Sequence, residues 1–198
     1  MAESDAGQEI AVDALVAITA VLNPSVSTHA HSTGLLAGRV ARALSLDAPT
    51  VVRTEMASRL HDIGMNGISP RILDNEEPLT EHEYNILRLH AERGATMLLA
   101  TSTLQDLAPI VRSHHERIDG RGYPDGLCAD EIRIESRIIA VADAFHTMTT
   151  PQHWETLVSP FAAVQELLRF SDTQFDRDVV NALISVLGRN SARLSETA

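Results

Sequence analysis

The chain has 198 residues, of which 44% are hydrophobic, and a formal net charge of −11. This acidic balance argues against a nonspecific nucleic-acid binder, which needs a basic surface. The single cysteine, Cys128, excludes an internal disulfide and a cysteine-rich zinc site. The length suits one domain, although two would fit. No apolar run approaches the ~18 residues of a membrane span, and the polar N-terminus shows no secretory signal, so we expect a cytoplasmic protein.

Apolar residues recur at helical spacing along the chain, and no stretch alternates long enough to make a sheet strand. The sequence therefore predicts an all-α bundle of about seven to eight helices. We expect the domain at residues 10–188, between flexible ends at residues 1–9 and 189–198. A Gly/Pro-rich loop, Asp119–Leu127, interrupts the helices. The predicted helical segments are Glu9–Leu22, His29–Leu46, Pro49–Gly64, Thr80–Ala100, Leu107–Glu116, Glu135–Thr150, Phe161–Phe170 and Asp176–Gly188.

Helical phase places some histidines on buried faces and others in solvent. His29 shares the apolar stripe of its helix, whereas His31 lies about 200° further round and should be exposed. His90 falls on the apolar face of the fourth segment, and His82, in its first turn, should be exposed. Five histidines and two aspartates thus lie on mostly apolar faces: His29, His61, Asp62, His90, His114, His115 and Asp143.

These seven polar groups need partners, because an unpaired polar group in an apolar surround is costly. A single inward histidine is more often a hydrogen-bonded core residue than a ligand. Backbone groups, however, would not satisfy seven such side chains in a core of this size. Imidazole and carboxylate suit first-row transition metals, and seven donors exceed what one ion needs. The pattern predicts two divalent metal ions bridged by a carboxylate.

Four motifs resemble those of the HD-GYP family, a branch of the HD phosphohydrolase superfamily. They are LHDIG at Leu60–Gly64, RLH at Arg88–His90, HHERIDGRGYPDGL at His114–Leu127 and RIIAVADAF at Arg137–Phe145. An HD dipeptide alone would be weak, but HHE followed by DGxGYP is highly specific. The resemblance covers about residues 10–188. It implies a bacterial, helical signalling hydrolase that cleaves cyclic di-GMP at a two- or three-metal iron or manganese site.

The resemblance also implies a role for each residue of the cluster. One ion would be held by His29, His61, Asp62 and Asp143, and the second by the bridging Asp62 with His90, His114 and His115. The sequence THAHS leaves His31 open as the first ligand, but helical phase and the spacing to Asn23-Pro24 favour His29. Iron or manganese is expected in preference to zinc or nickel. His61 and Asp62 would carry catalysis.

The loop that contains the GYP sequence has two readings. It is explained as a tight turn by its glycines and proline. It would also border the substrate through Tyr123, Gly122, Pro124 and Arg121, and offer a surface to protein partners. A homodimer is left open.

Some positions depart from the family pattern. Met65 stands where the family has a lysine and Gln152 where it has an arginine, so two cationic substrate contacts are missing. Ser25 replaces a glutamate of the three-metal members, which favours two ions. His146 occupies a position where the family usually has an aspartate. It is either a hydrogen-bond partner of a metal ligand or a helix histidine whose hydrogen bonds are satisfied without a metal. The remaining basic candidates, each more readily explained as solvated surface, are Arg117, Arg121 and Arg71.

The resemblance implies metal-assisted hydrolysis of a phosphodiester, in which a hydroxide bridging the ions attacks phosphorus. Cyclic di-GMP is the expected substrate and linear pGpG the expected product. A more general mononucleotide hydrolase is disfavoured by the GYP loop. The alternative, from another functional class, is a catalytically weak module that binds cyclic di-GMP and metal and acts in signalling or protein interaction. It is kept because Met65 and Gln152 alter the expected substrate contacts, while every expected metal ligand is present.

Overall fold

The computed structural model describes residues 2–73, 75, 77–150 and 157–196. These residues form nine α-helices and two short 3-10 helices, Ile63–Gly67 and Ala129–Glu131. No β-strand occurs among them, so the all-α prediction is confirmed. The helices are α1 (Ala2–Leu22), α2 (Pro24–Ala43), α3 (Ala48–Leu60), α4 (Pro70–Leu73), α5 (Glu81–Leu99), α6 (Ala108–Arg112), α7 (Ile134–Thr149), α8 (Pro160–Arg169) and α9 (Arg177–Glu196).

Local sequence signals explain several helix starts. Proline occupies the first turn of α2, α3, α6 and α8, where its missing N–H has no intrahelical partner to lose. Thr80 and Glu83 form the capping box that the sequence predicts at the start of α5. The four-residue α4 has no counterpart among the predicted helices.

The outer helices are longer than the sequence indicates. α1 begins at Ala2 and α9 ends at Glu196, so helix extends through most of residues 1–9 and 189–198. Apolar periodicity, which located the predicted ends, fades in both stretches because their side chains are mainly polar. The domain at residues 10–188 with flexible ends stays a prediction.

The helices enclose two apolar clusters. One joins α2, α7, α8 and α9 around residues such as Val40, Val141 and Leu183. The other joins α3, α5 and α6 around residues such as Leu60 and Leu98. Within the described ranges, no helix has both the length and the apolar character to cross a membrane.

A close approach of backbones aligns α5 with the end of α3. A Cβ atom at Gly64 would lie 2.0 Å from the carbonyl oxygen of His90, so only glycine fits there. This contact brings the 3-10 turn after Asp62 directly against the turn of α5 that carries His90. The glycine of the LHDIG motif thus places the two parts of the polar cluster beside each other.

Candidate metal centre

The structure brings all seven of these polar residues together from five parts of the chain. They lie in two groups, and within each group the donor atoms are within 4.8 Å of one another. His31 and His82 are exposed, as their helical phase predicts. The first group contains Asp62, His90, His114 and His115, and the second contains His29, His61 and Asp143.

Hydrogen bonds to backbone carbonyls fix the tautomer of three histidines. In each of them Nδ1 lies 2.6–2.8 Å from the carbonyl oxygen three residues earlier in the chain. A carbonyl oxygen only accepts, so Nδ1 must carry the hydrogen, and Nε2 of the neutral ring is left with a lone pair. The pairs are His61 with Ser58, His90 with Leu87 and His114 with Val111.

These lone pairs point at one another, which fits a bound cation. Nε2 of His90 lies 3.1 Å from Nε2 of His114, and neither atom has a hydrogen to donate in the neutral rings. Nε2 of His61 is buried, and its polar neighbours are carboxylate oxygens, Oδ2 of Asp62 at 3.2 Å and Oδ1 of Asp143 at 3.9 Å. Facing lone pairs are unfavourable unless a proton or a metal ion lies between them. The residues present therefore fit a metal with imidazole and carboxylate ligands.

Asp62 lies between the two groups. Its Oδ2 is 3.2 Å from Nε2 of His61, and its Oδ1 is 3.3 Å from Nε2 of His90. Each carboxylate oxygen thus faces a different group of donors. This arrangement suits a carboxylate shared by two ions.

The pKa shifts in the cluster indicate an ionised Asp62, a protonated His61 and neutral rings at His114 and His115. Burial raises the pKa of Asp62, but the nearby imidazoles, chiefly that of His61, hold it well below its ordinary value. Burial lowers the pKa of His61, but the Asp62 and Asp143 carboxylates outweigh it and raise the pKa to about 9. Burial, followed by neighbouring histidines, lowers the pKa of His114 well below its ordinary value and that of His115 to about 3. His61 thus holds an additional proton when no metal is bound, while His114 and His115 keep lone pairs for a metal.

His146 is a partner of the first histidine. Its Nδ1 lies 3.0 Å from Nδ1 of His29, while Nε2 of His29 lies 2.8 Å from Oδ1 of Asp143. Burial, followed by the charge of His29, lowers the pKa of His146 to about 4, so its ring is neutral. Of the two readings of His146, the structure places it against a candidate ligand, where it orients the His29 ring.

The GYP loop is anchored by a buried carboxylate. Glu116 accepts hydrogen bonds from the backbone N–H groups of Asp125, Gly126 and Leu127, at 2.7, 3.1 and 3.1 Å. A Cβ at Gly122 would lie 2.4 Å from the backbone nitrogen of Arg117, so the loop packs directly on the chain that follows the histidine pair. The third residue of the HHE motif therefore supports the loop.

A stack of three side chains joins the loop to the histidines. The Tyr123 ring lies on His115, with centroids 4.8 Å apart and an interplanar angle of 26°. The guanidinium carbon of Arg88 lies 4.4 Å from the centroid of the Tyr123 ring. Arg88 belongs to the RLH motif, but the sequence gives it no role. Its helical phase places it away from His90, and the contact with Tyr123 depends on how the loop folds.

A cleft of about 580 Å³ opens beside the cluster. It is lined by side chains from three parts of the chain, including His115, Asp143, Thr147, Met148, Gln174 and Phe175. Thr147, Met148, Gln174 and Phe175 were not among the predicted site residues. Tyr123, Gly122, Pro124 and Arg121 are not among the residues lining it, and their contact with substrate stays a prediction, as do a protein partner at the loop and a homodimer.

The remaining predicted positions have simple environments. Arg71 and Arg121 are exposed, and Ser25 is exposed in the first turn of α2. Met65 is half-buried in the 3-10 turn that follows Asp62. Gln152 lies outside the described residues.

The fold and the cluster define an all-helical protein of the HD class, with histidine and aspartate side chains placed to hold metal. The model of the family described as "HD domain" matches residues 14–179. The chain belongs to the HD domain family, and its HHE and GYP motifs place it in the HD-GYP branch.

The relatives are phosphodiesterases. The chain is 35% identical over 165 residues to a cyclic di-GMP phosphodiesterase of Thermotoga maritima, covering 81% of this chain and 45% of that protein. It is 30% identical over 183 residues to 3'3'-cGAMP-specific phosphodiesterase 3 of Vibrio cholerae, covering 92% of this chain and 40% of that protein. The chain thus spans less than half the length of these relatives.

A solved structure shares the fold. Bd1817, an HDG"Y"P protein of Bdellovibrio bacteriovorus, matches with a TM-score of 0.70 at 20% sequence identity. The match covers 88% of this chain and 57% of that one. It supports the helical HD architecture that the sequence predicts.

Proposed function

We propose that this chain is a metal-dependent phosphodiesterase that hydrolyses cyclic di-GMP, with linear pGpG as the product. The observation that carries the proposal is the convergence of histidine lone pairs and two ionised carboxylates beside a cleft of about 580 Å³. That volume lies in the range of about 300–1,000 Å³ that small-molecule sites occupy. The activity named for the relatives supports hydrolysis over a module that only binds.

We propose two metal ions, iron or manganese. Asp62, His90, His114 and His115 would hold one ion, and His29, His61 and Asp143, with Asp62 shared, would hold the other. A bound metal supplies Lewis-acid chemistry, which lowers the pKa of water and stabilises negative charge on phosphate oxygens. The absence of thiolate among these donors supports iron or manganese over zinc.

The chain's own side chains position the reaction. Carboxylates of Asp62 and Asp143 remain ionised, so they balance the positive charge at the site. His146 holds the His29 ring by its Nδ1, and Tyr123 packs on His115, which limits rotation of both imidazoles. Arg88 brings a positive charge to the Tyr123 ring that packs on His115, and an anionic phosphate near this end of the cluster would be attracted to it.

Met65 and Gln152 replace the lysine and arginine expected from the family pattern, and restoring these two residues is the main test of activity. Removing two charge-assisted contacts, at roughly 1.5–3 kcal/mol each, reduces affinity or rate by a factor of hundreds or more. We expect slow turnover in the unmodified chain and faster turnover in the double variant Met65→Lys, Gln152→Arg.

The experiment is timed chromatography of cyclic di-GMP incubated with manganese- or iron-loaded protein. Turnover to pGpG that disappears in Asp62→Ala supports the phosphodiesterase. Turnover in the double variant alone supports the weak signalling module, and preferential hydrolysis of another nucleotide contradicts the substrate. Metal content of each sample separates loss of metal from loss of substrate contacts.

A further inference from the structure

Arg117 and Gln174 form a fixed pair on one wall of the cleft. Nε and Nη2 of Arg117 donate to the two oxygens of Asp119, at 3.0 and 2.7 Å. Nη1 of Arg117 donates to Oε1 of Gln174 at 2.7 Å. Because Asp119 holds the guanidinium through two bonds, the third bond has a defined direction.

The chain on both sides of this pair is also held. The backbone N–H of Asp119 donates to the carbonyl of Thr173 at 2.9 Å, and that of Gln174 donates to the carbonyl of Phe170 at 2.9 Å. Gln174 therefore sits on backbone that is tied to the histidine-bearing segment. Its side chain lines the cleft together with His115 and Asp143.

The chemistry of arginine determines which end of the Gln174 amide faces the cleft. A guanidinium has only donors, so the amide atom that meets it must be the oxygen. Nε2 has no partner among the described residues, although Gln174 is only half-buried. The amide therefore offers two N–H donors to a molecule in the cleft, while its acceptor is already occupied.

A side chain that only donates hydrogen bonds discriminates between guanine and adenine. On the Hoogsteen edge, guanine presents two neighbouring acceptors, O6 and N7, whereas adenine presents the acceptor N7 beside the N6 amino donor, and it is this edge that we place against Gln174. A free glutamine pairs with adenine by donating to N7 and accepting from N6, but here Arg117 occupies the accepting oxygen. We propose that Gln174, oriented by Arg117, is a specificity-determining residue that favours guanine over adenine in a cyclic dinucleotide. This inference rests on the proposed function and names the base preference of the same site.

The substitution Gln174→Glu tests the donor directly. Glutamate is nearly the same size and keeps an oxygen for Arg117, but it turns the free N–H donors into an acceptor. The ratio of cyclic di-GMP to cyclic di-AMP affinity should fall at least tenfold, or about 1.4 kcal/mol. The ratio is informative because the added negative charge repels the two phosphates of either ligand alike. Gln165→Glu, an exposed glutamine on α8, is the matched control.

A second variant tests the orientation. Arg117→Met frees Oε1 of Gln174, so the amide is able to pair with adenine, and the guanine preference should relax while cyclic di-AMP affinity does not fall. Calorimetry with cyclic di-GMP, 3'3'-cGAMP and cyclic di-AMP gives the affinities, with and without manganese, and chromatography of the same samples gives turnover.

The outcomes separate the two proposals. Turnover of cyclic di-GMP with an unchanged affinity ratio in Gln174→Glu overturns the role of Gln174 and leaves the phosphodiesterase intact. A fall of at least tenfold in the ratio without turnover in any metal form supports Gln174 and contradicts the phosphodiesterase, whereas a rise in the ratio overturns the role of Gln174. No binding of any of the three dinucleotides overturns both.

Discussion

Nε2 of the buried His61 lies 3.2 Å from Oδ2 of its sequence neighbour Asp62, so the HD dipeptide is itself an ion pair in the metal-free protein. Burial lowers the pKa of His61, yet the Asp62 and Asp143 carboxylates raise it from 6.5 to about 9. The folded protein thus binds this proton more tightly than the unfolded chain. The resulting stability is complete below about pH 6.5 and is lost as the pH rises to about 9.

We therefore expect opposite pH trends for metal-free and metal-bound protein. The free energy of unfolding of chelated protein, from urea titrations, should fall between about pH 6.5 and pH 9. The apparent affinity for manganese should rise over the same interval, because a metal must displace the proton from His61. In Asp143→Asn both trends should shift to lower pH. A manganese affinity that is flat across this interval would contradict the ion pair.

The position of Asp62 between the two groups predicts unequal effects of removing the two carboxylates. Asp62→Asn should reduce bound manganese from about two ions per chain to less than about half an ion, because this side chain contacts both groups. Asp143→Asn should leave about one ion, because Asp143 belongs only to the group of His29 and His61. Elemental analysis of dialysed protein measures the content, and Asp178→Asn on α9 is the surface control. Equal losses in both variants would argue against a shared carboxylate.

Much of the fold and cluster follows from sequence because both depend on local pattern. Helical periodicity locates the helices, and the presence of polar residues on apolar faces is enough to identify His29, His90 and Asp143. Residues whose role depends on distant packing are missed. Gln174 meets Arg117 across 57 positions, and Arg88 reaches Tyr123 only through the folded loop, so neither contact leaves a periodic signal.

Glu116 should control the stability of the GYP loop. In Glu116→Gln one acceptor oxygen becomes an N–H₂ donor that faces a backbone N–H of the loop. Because Glu116 is only 4% exposed, water cannot replace the lost hydrogen bond. We expect a loss of about 1–3 kcal/mol in the free energy of unfolding. Amide hydrogen exchange at residues 125–127 should also become faster. Glu131→Gln, whose exposed carboxylate accepts from the backbone of Cys128, is the control and should change stability by less than about 1 kcal/mol. Unchanged exchange at residues 125–127 would show that the loop is held by other contacts.

We expect the two faces of the Tyr123 ring, and not its hydroxyl, to support metal binding and stability. One contact is with His115, the other is with Arg88, and the hydroxyl has no hydrogen-bond partner within the described part of the chain. Burial raises the pKa of this phenol, so it stays protonated and takes no part as an anion. Tyr123→Phe should therefore preserve manganese affinity and stability to within about 0.5 kcal/mol.

Tyr123→Ala should behave differently, because it removes both ring contacts at once. Loss of aromatic stacking and of the cation–π contact should lower the free energy of unfolding by at least about 1 kcal/mol. It should also weaken manganese binding, since the imidazole of His115 is then free to rotate away from the cluster. Calorimetric titration with manganese and urea unfolding measure the two effects, with Phe161→Ala, an aromatic side chain 74% exposed on α8, as the control. If Tyr123→Phe loses as much manganese affinity as Tyr123→Ala, the hydroxyl and not the ring supports the site.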